Sequence, residues 1–288
     1  IPEGDKNSEE MIKDLARKIY YVKKGKEPNE SNLNLLKNFF KILIESGKIS
    51  KYKVVIATGS NHSLFPSFMQ FVKGAKLFGI ESQDRVITRG KTIHIISFFS
   101  KGIFLHWEEQ KKLYPKKGIV TGPIVEKPKY QRENGDYILV TTGTQGFRRL
   151  FDILVNTNLD NVVIQTGKID YNEYQKKKPN WKFFSFNTDL ERWISKAKVV
   201  ITHQGKTAME SVVMYKKPTI IVYNKDWIYA ATKEDSKLYA KILGATFLDD
   251  PSTWESEEII LQEIEKVKEP KSFEIGTKKL VDIILNEL

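Results

Sequence analysis

Between Tyr137 and Tyr223, five short runs of β-branched and aromatic residues recur, each followed by a turn and a helical candidate. They are YILVTTG (Tyr137 to Gly143), NVVIQTG (Asn161 to Gly167), KFFSF (Lys182 to Phe186), KVVIT (Lys198 to Thr202) and PTIIVY (Pro218 to Tyr223). Strands so continuously apolar are buried on both faces, and strands alternating with helices run parallel, so the spacing predicts a central parallel sheet. A first series precedes it, with amphipathic helices around Glu10 to Lys24 and Leu33 to Gly47, the strand KVVIATG (Lys53 to Gly59) and a strand near GIFLHW (Gly102 to Trp107). Thr121 to Gly135, with Pro123, Pro128 and little apolar periodicity, reads as an interdomain linker. Helices at about Ser256 to Val267 and Ser272 to Leu288 close the chain.

The 288 residues exceed the roughly 100 to 200 of a usual single domain. The sequence therefore predicts an α/β chain of two Rossmann-like domains, residues 1–128 and 129–288, whose parallel sheets face a cleft. The last helix is expected to cross back to the first domain. Ligand sites belong at the carboxyl ends of the strands.

Lys and Arg number 47 against 36 Asp and Glu, a net charge of +11 that draws a protein towards polyanions: nucleic acid, phospholipid headgroups or phosphorylated substrates. Lys-rich, Glu-rich surfaces are equally a habit of heat-adapted proteins. With no Cys, thiolate metal sites and cysteine nucleophiles are excluded. No run reaches the roughly 20 apolar residues that span a bilayer, and IPEGDKNSEE lacks a signal pattern, so the body is expected to be soluble or peripheral.

The segment with the most chemistry is VVITHQGKTAMESVVMYKKPTIIV, Val199 to Val222. A strand ends at Thr202, a turn passes His203, Gln204 and Gly205, and a helix begins near Lys206 or Thr207. Unpaired backbone N–H groups at such a helix start, with the Thr207 hydroxyl and the Lys206 cation, suit a diphosphate. Glu210, three residues after Thr207, can accept hydrogen bonds from ribose hydroxyls. The same spacing serves a capping box that needs no ligand.

Three blocks resemble a known family in order and spacing: VTTGTQGFRRLFD (Val140 to Asp152), VVIQTGK (Val162 to Lys168) and FSFNTDLERWISKAKVVITHQGKTAMES (Phe184 to Ser211). They resemble the donor-binding subunit of the eukaryotic UDP-GlcNAc transferase that makes dolichol-linked chitobiose and, more distantly, the bacterial transferase that completes the lipid-linked peptidoglycan precursor. The first half resembles the partner subunit, which recruits the catalytic half to the membrane, through KVVIATGSNHSLFPS, GIESQDRV and GIFLHWEEQKKLYPKKGIVTG. The resemblance implies a GT-B glycosyltransferase with both subunits fused, acceptor half first, and with the Cys-free, Lys-rich composition it suggests an archaeal thermophile. It makes Gly143 and Thr144 residues of the interdomain cleft, His203, Gly205, Thr207 and Glu210 donor contacts beside the Lys206 cation, and Phe186 a neighbour of the base. Glu81 becomes the general base, with a solvated loop glutamate as the alternative. Gly59, Asn61 and His62, at the strand end and turn after Lys53 to Gly59, are expected to contact the acceptor, with a turn-stabilising histidine as the alternative for His62. The implied reaction is inverting transfer of N-acetylglucosamine from UDP-GlcNAc to a polyprenyl-diphosphate-linked sugar, peripheral to the cytoplasmic face of the cell membrane. No cofactor and no metal are expected, since no Asp-x-Asp cluster is present.

Two features depart from the family. One residue, Lys206, separates Gly205 from Thr207 where the family has two, and the family's opening strand and Gly-Gly-His loop are missing, so a βα unit is expected upstream of Ile1. Asp235 and Ser236 fall where the family has a polar pair facing donor hydroxyls or acceptor. His94 and His106 lack metal-ligand spacing and read as structural. Leu33 to Lys48 sets Phe39, Phe40, Leu43 and Ile44 among lysines, which suits a membrane interface or packing on a sheet. Two rivals stay open: transfer of another nucleotide sugar in surface or capsule glycan synthesis, and a non-catalytic basic protein that binds nucleic acid or membrane. No RNA-binding signature supports nucleic acid.

Overall fold

The computed structural model describes residues 1–23, 32–227 and 230–288. Unit 1 comprises residues 1–82, 89–121 and 278–288, and unit 2 residues 83–88 and 122–277. In unit 1, α1 (Lys6–Ile12) and α2 (Asn32–Gly47) precede β1 (Val54–Ala57), α3 (Leu64–Val72), β2 (Lys76–Ile80), α4 (Lys91–Ser97), β3 (Gly102–Leu105) and β4 (Gly118–Val120). The four strands form one parallel sheet in the order β1-β2-β3-β4.

Unit 2 runs β5 (Ile138–Thr141), α5 (Arg148–Leu154), β6 (Val162–Gln165), α6 (Asn172–Lys177), β7 (Lys182–Phe184), α7 (Leu190–Lys196) and β8 (Val199–Thr202). It continues with α8 (Lys206–Met209), which passes into a π-helical turn (Glu210–Met214), then β9 (Thr219–Val222), α9 (Lys233–Leu243), β10 (Thr246–Leu248) and α10 (Glu258–Lys266). The sheet is parallel throughout, in the order β10-β9-β8-β5-β6-β7. From α11 (Thr277–Leu285), residues from Lys278 onward belong to unit 1.

Every residue of β5, β6, β8 and β9 is buried. Alternate side chains feed two cores. Val140, Ile164 and Ile201 pack with Phe151, Leu154 and Ile260 on one face, and Leu139, Val163 and Val200 with Ile194 and Tyr215 on the other. This two-sided burial, about 1.5–3 kcal/mol per large apolar side chain, is what the apolar runs encode.

Five elements are not read from the sequence: β2, β4, β10, α3 and α4. In β2 the cause is Gly79, which weakens a strand pattern and leaves room for the Ile103 and Ile93 side chains. A Cβ there would lie 2.8 Å from Ile103 Cδ1 on β3. The helix expected over Glu10 to Lys24 is corrected. Helix α1 occupies Lys6–Ile12, capped where Asp5 Oδ1 accepts from Ser8 N at 3.1 Å, and Tyr20–Val22 run without helix. Val22 N donates to Ile1 O, and Glu3 N to Val22 O, each at 3.0 Å. The aromatic and β-branched Tyr20-Tyr21-Val22 run favours this extended pairing over helix. Lys24 lies outside the described residues.

The linker expected at Thr121 to Gly135 contains no helix or strand. From Gly122 it belongs to unit 2, seven residues before the boundary expected at 129. Gly276 N donates to Pro123 O at 2.8 Å, Glu133 N to Ser195 O at 2.9 Å, and the buried Lys217 Nζ to Glu133 O at 2.5 Å. Proline and glycine made it read as a tether, whereas its backbone is hydrogen-bonded to unit 2.

Candidate functional site

In unit 2 the chain begins at β5, adds β6 and β7 on one side, then turns back to place β8, β9 and β10 on the other. The loops leaving the carboxyl ends of β5 and β8 diverge at that reversal, and such a switch point opens a crevice in parallel α/β sheets. Thr141 pairs with Thr202 in the last register of these two strands. Thr142 Oγ1, Thr202 Oγ1 and His203 Nδ1 are buried and have no hydrogen-bond partner. An unsatisfied buried polar atom costs about 1–3 kcal/mol, so three on adjacent residues of one strand pair make this edge the candidate place for polar groups from outside the chain, water included.

The rim of this edge is tightly stitched. Lys168 N donates to Thr144 O at 2.9 Å and Gly167 N to Ser185 O at 3.0 Å, joining the loops after β5, β6 and β7. Gly167 has φ +63°, and a Cβ on it would meet Thr144 O at 2.5 Å, so only glycine fits. Gly143 lies beside the His203 ring, with its Cβ position 3.4 Å from Nε2. Phe186 stands on the third loop with its side chain 41% exposed.

The His203-Gln204-Gly205 turn is fixed by residues that the sequence did not reveal. Gln204 is fully buried, its amide donating to Asn224 O and accepting from Asn224 N, both at 2.9 Å. Tyr239 OH on α9 donates to Gly205 O at 3.1 Å. Burial lowers the His203 pKa to about 4, so the imidazole is neutral near pH 7. The Trp227 ring lies 6.2 Å from it, tilted by 38°. Trp227 follows β9 in a segment without periodicity, and nothing in the sequence singled it out.

Gly205 caps α8 without a side-chain hydrogen bond, so Thr207 is the second helical residue and no capping box forms. Glu210 pairs instead with Lys206, Nζ to Oε1 at 2.8 Å. Burial alone would lower the Lys206 pKa, but the carboxylates of Glu210, Glu126 and Glu191 outweigh it and raise the value. Glu210 also begins the π-helical turn, a local widening of the helix that is frequent at functional sites. The structure thus brings Gly143, Thr144, His203, Gly205, Lys206, Thr207 and Glu210 to the loops and helix start at the carboxyl ends of β5 and β8, with Phe186 on the rim.

Asp235 and Ser236 are corrected. Asp235 is fully buried, its Oδ1 accepting from the backbone N–H groups of Val86, Ile87 and Thr88 at 2.8, 2.7 and 3.1 Å and its Oδ2 from Thr88 and Thr232. Burial opposes ionisation, but these donors hold the carboxyl below its ordinary pKa. Ser236 Oγ donates to Thr232 O at 2.8 Å. Both residues are committed to protein groups, at positions where their types already differ from the family's.

At the carboxyl edge of the unit 1 sheet the polar groups are paired. Gly59 follows β1 and packs against Ile93, Asn61 Oδ1 accepts from Thr92 Oγ1 at 3.1 Å, and His62 Nε2 shares a hydrogen bond with Ser60 Oγ at 3.0 Å. Glu81 is 1% exposed, not a solvated loop residue. Its carboxylate accepts from Ser82 N at 2.8 Å, Gly90 N at 3.1 Å and Tyr114 OH at 2.5 Å. His106, with its pKa lowered to about 4 by burial, shares a 3.1 Å hydrogen bond with Glu81 O, and Arg89 contacts His94. Among the described residues no cluster of three or more His, Asp or Glu could hold a metal ion, and no helix is long and apolar enough to cross a membrane. A cavity of about 470 Å³ opens elsewhere on unit 2, beside Lys182, Arg192 and Trp193, and is lined by none of the candidate donor residues.

Comparison with known proteins converges on the same unit. Residues 137–274 match the family model for the glycosyltransferase family 28 C-terminal domain, just under half of the chain. No curated protein matches by sequence. Among solved structures, MurG of Acinetobacter baumannii is similar at a TM-score of 0.66 and 16% identity, over 97% of this chain and 87% of that one. UDP-GlcNAc 2-epimerase from Neisseria meningitidis, bound to UDP-GlcNAc, follows at 0.63 and 17%, over 99% and 90%. The UDP-GlcNAc 2-epimerase of Methanocaldococcus jannaschii is similar at 0.60 and 14%, over 98% and 89%. At these identities the likeness is one of fold: an α/β chain with two parallel sheets, as in GT-B glycosyltransferases.

Proposed function

We propose that this chain is an inverting UDP-sugar glycosyltransferase that moves N-acetylglucosamine from UDP-GlcNAc to a polyprenyl-diphosphate-linked GlcNAc, giving lipid-linked chitobiose for protein N-glycosylation. The observation that carries the donor half is the unsatisfied edge at Thr142, Thr202 and His203, within the segment that matches the family 28 domain. Uridine diphosphate would lie there, with its diphosphate at the start of α8 beside Lys206 and Thr207, its ribose hydroxyls on Glu210 and its base near Phe186. The acceptor hydroxyl attacks the anomeric carbon, the bond from that carbon to the diphosphate oxygen breaks, and UDP leaves with the electron pair. Lys206 and the backbone N–H groups stabilise the charge on the leaving diphosphate, so transfer is expected to persist with a chelator present.

In this proposal the acceptor proton passes to Glu81, with Gly59, Asn61 and His62 contacting the acceptor. The same carboxylate accepts from Ser82 N, Gly90 N and Tyr114 OH, so its alternative role is to position that loop. Glu81→Gln separates the possibilities. A base is lost, with kcat falling at least about 100-fold, whereas a residue that only positions Gly90 and Tyr114 is largely rescued by the amide.

The acceptor is a lipid, and unit 1 has the surface to meet one. It holds 23 Lys and Arg against 13 Asp and Glu, net +10, while unit 2 holds 24 against 23, net +1. Phe40 and Ile44 on α2, Phe68 and Phe71 on α3, and Phe98 just after α4 are exposed. Phe39 on α2 meets Phe65 on α3 edge-on, and Phe68 and Phe71 both meet Phe99 in the turn after α4. Exposed aromatics on a cationic unit support peripheral attachment to an anionic membrane, at the cytoplasmic face of the cell membrane. Loss of vesicle binding in Phe40→Ser/Phe98→Ser, with unfolding unchanged, is the expected result.

The decisive assay offers a panel of UDP-sugars with polyprenyl-diphosphate-GlcNAc, with and without chelator. GlcNAc transfer, lost in Glu210→Ala, supports the proposal. A UDP-sugar altered at C2 without acceptor would instead assign epimerase chemistry, and transfer of a different sugar would favour surface-glycan synthesis.

A further inference from the structure

Lys206 and Glu210 sit four residues apart on one helix face where the chain leaves β8, and their charges meet at 2.8 Å. In the donor-site proposal above, Lys206 takes the diphosphate and Glu210 the ribose hydroxyls. The Lys206 side chain is 54% exposed and follows Gly205 directly, while the Glu210 carboxylate is 19% exposed. The pair therefore occupies the two groups that the ligand would need. We propose that Lys206 and Glu210 mask each other in the free protein and are unmasked together by a nucleoside diphosphate, whose ribose hydroxyls take the carboxylate as its diphosphate takes the ammonium.

This deepens the donor-site proposal and rests on it. An i,i+4 ion pair at a half-exposed position is weak, so it can be exchanged rather than merely broken. The exchange is favourable only for a ligand with both parts. A free phosphate or pyrophosphate competes with Glu210 for Lys206 and leaves the carboxylate without its partner. A nucleoside must approach a carboxylate already engaged, with nothing to offer the released ammonium. UDP replaces both halves of the ion pair in one event, and the buried hydroxyls of Thr142 and Thr202 supply further polar partners at the same edge. Lys206 is thus a specificity residue whose availability is set by Glu210. More distant Glu126 and Glu191 add to the negative field around it without the 2.8 Å contact.

The test is calorimetric binding of uridine, inorganic pyrophosphate and UDP to wild type, Glu210→Gln, Lys206→Met and the double variant. In Glu210→Gln the lysine is freed, so pyrophosphate should bind about tenfold more tightly than to wild type while uridine binds more weakly. That gain should vanish in the Lys206→Met background, because it acts through Lys206 and not through the general loss of a negative charge. Pyrophosphate affinity unchanged by Glu210→Gln, or a gain that persists without Lys206, overturns the masking while leaving UDP binding by the wild type intact. Failure of the wild type to bind UDP overturns the donor site itself and the masking with it.

Discussion

The carboxyl edges of the two sheets are built on opposite terms. At the unit 2 edge, Thr142 and Thr202 hydroxyls and the His203 Nδ1 are buried without partners. At the unit 1 edge, Glu81 takes three donors, and Asn61 and His62 each have a partner. The orphaned hydroxyls of unit 1, Ser46 and Ser100, lie in α2 and in the turn ahead of β3, away from that edge. A parallel sheet supplies a crevice where its strand order reverses, and unmatched polar groups there are candidates to meet a ligand. Unit 2 has both features. The unit 1 order β1-β2-β3-β4 has no reversal, and its edge is satisfied internally.

The comparison breaks most readily at the glycine that joins the unit 2 loops. Gly167→Ala places a methyl 2.5 Å from a carbonyl oxygen at positive φ, so a loss of about 3–4 kcal/mol and no UDP binding are expected. Gly59→Ala at the other edge, also at positive φ but with its nearest contact the Ile93 side chain at 3.3 Å, should lose only about 1–2 kcal/mol. Equal losses in urea unfolding would erase the contrast.

Acid sharpens it next. His203 in unit 2 and His106 in unit 1 both have pKa values near 4 in the folded chain, against 6.5 when unfolded. Above pH 6.5 neither state is protonated. Between 6.5 and 4 the unfolded chain binds protons that the folded chain refuses, so stability falls as pH falls, and below 4 the loss stops growing. Each histidine accounts for a loss of roughly 3 kcal/mol across that window, and His203→Gln should remove one share. A pH-independent stability would mean that both imidazoles find solvent.

Smaller effects of opposite sign test the satisfied and unsatisfied edges directly. Tyr114→Phe removes a donor from Glu81 and should cost about 2 kcal/mol. Thr142→Val removes an orphan hydroxyl and should raise stability by about 1 kcal/mol while weakening UDP binding. If Thr142→Val destabilises, the hydroxyl has a partner in the folded protein and the edge is not held open for a ligand.

Most of unit 2 was legible in the sequence, because strands buried on both faces must be apolar at every position, as β5, β6, β8 and β9 are. The turn at Gly205 and the helix after it were legible for a similar reason, since a tight strand-to-helix turn restricts residue type. Unit 1 was harder to read. Gly79 interrupts β2 and leaves room for Ile103 and Ile93, and Tyr20–Val22 pair with the first residues of the chain instead of continuing a helix.

The sequence alone determined the class of fold and the strand-to-helix turn at Gly205, because burial and backbone geometry act through local composition. Only the tertiary structure decided which of the candidate residues are available. Asp235 was withdrawn by three backbone N–H groups from positions 86–88, the Glu81 carboxylate was found buried among donors, and Glu210 was found holding Lys206 rather than completing a cap. Whether a polar group is free depends on partners brought from far along the chain, and no local pattern records them.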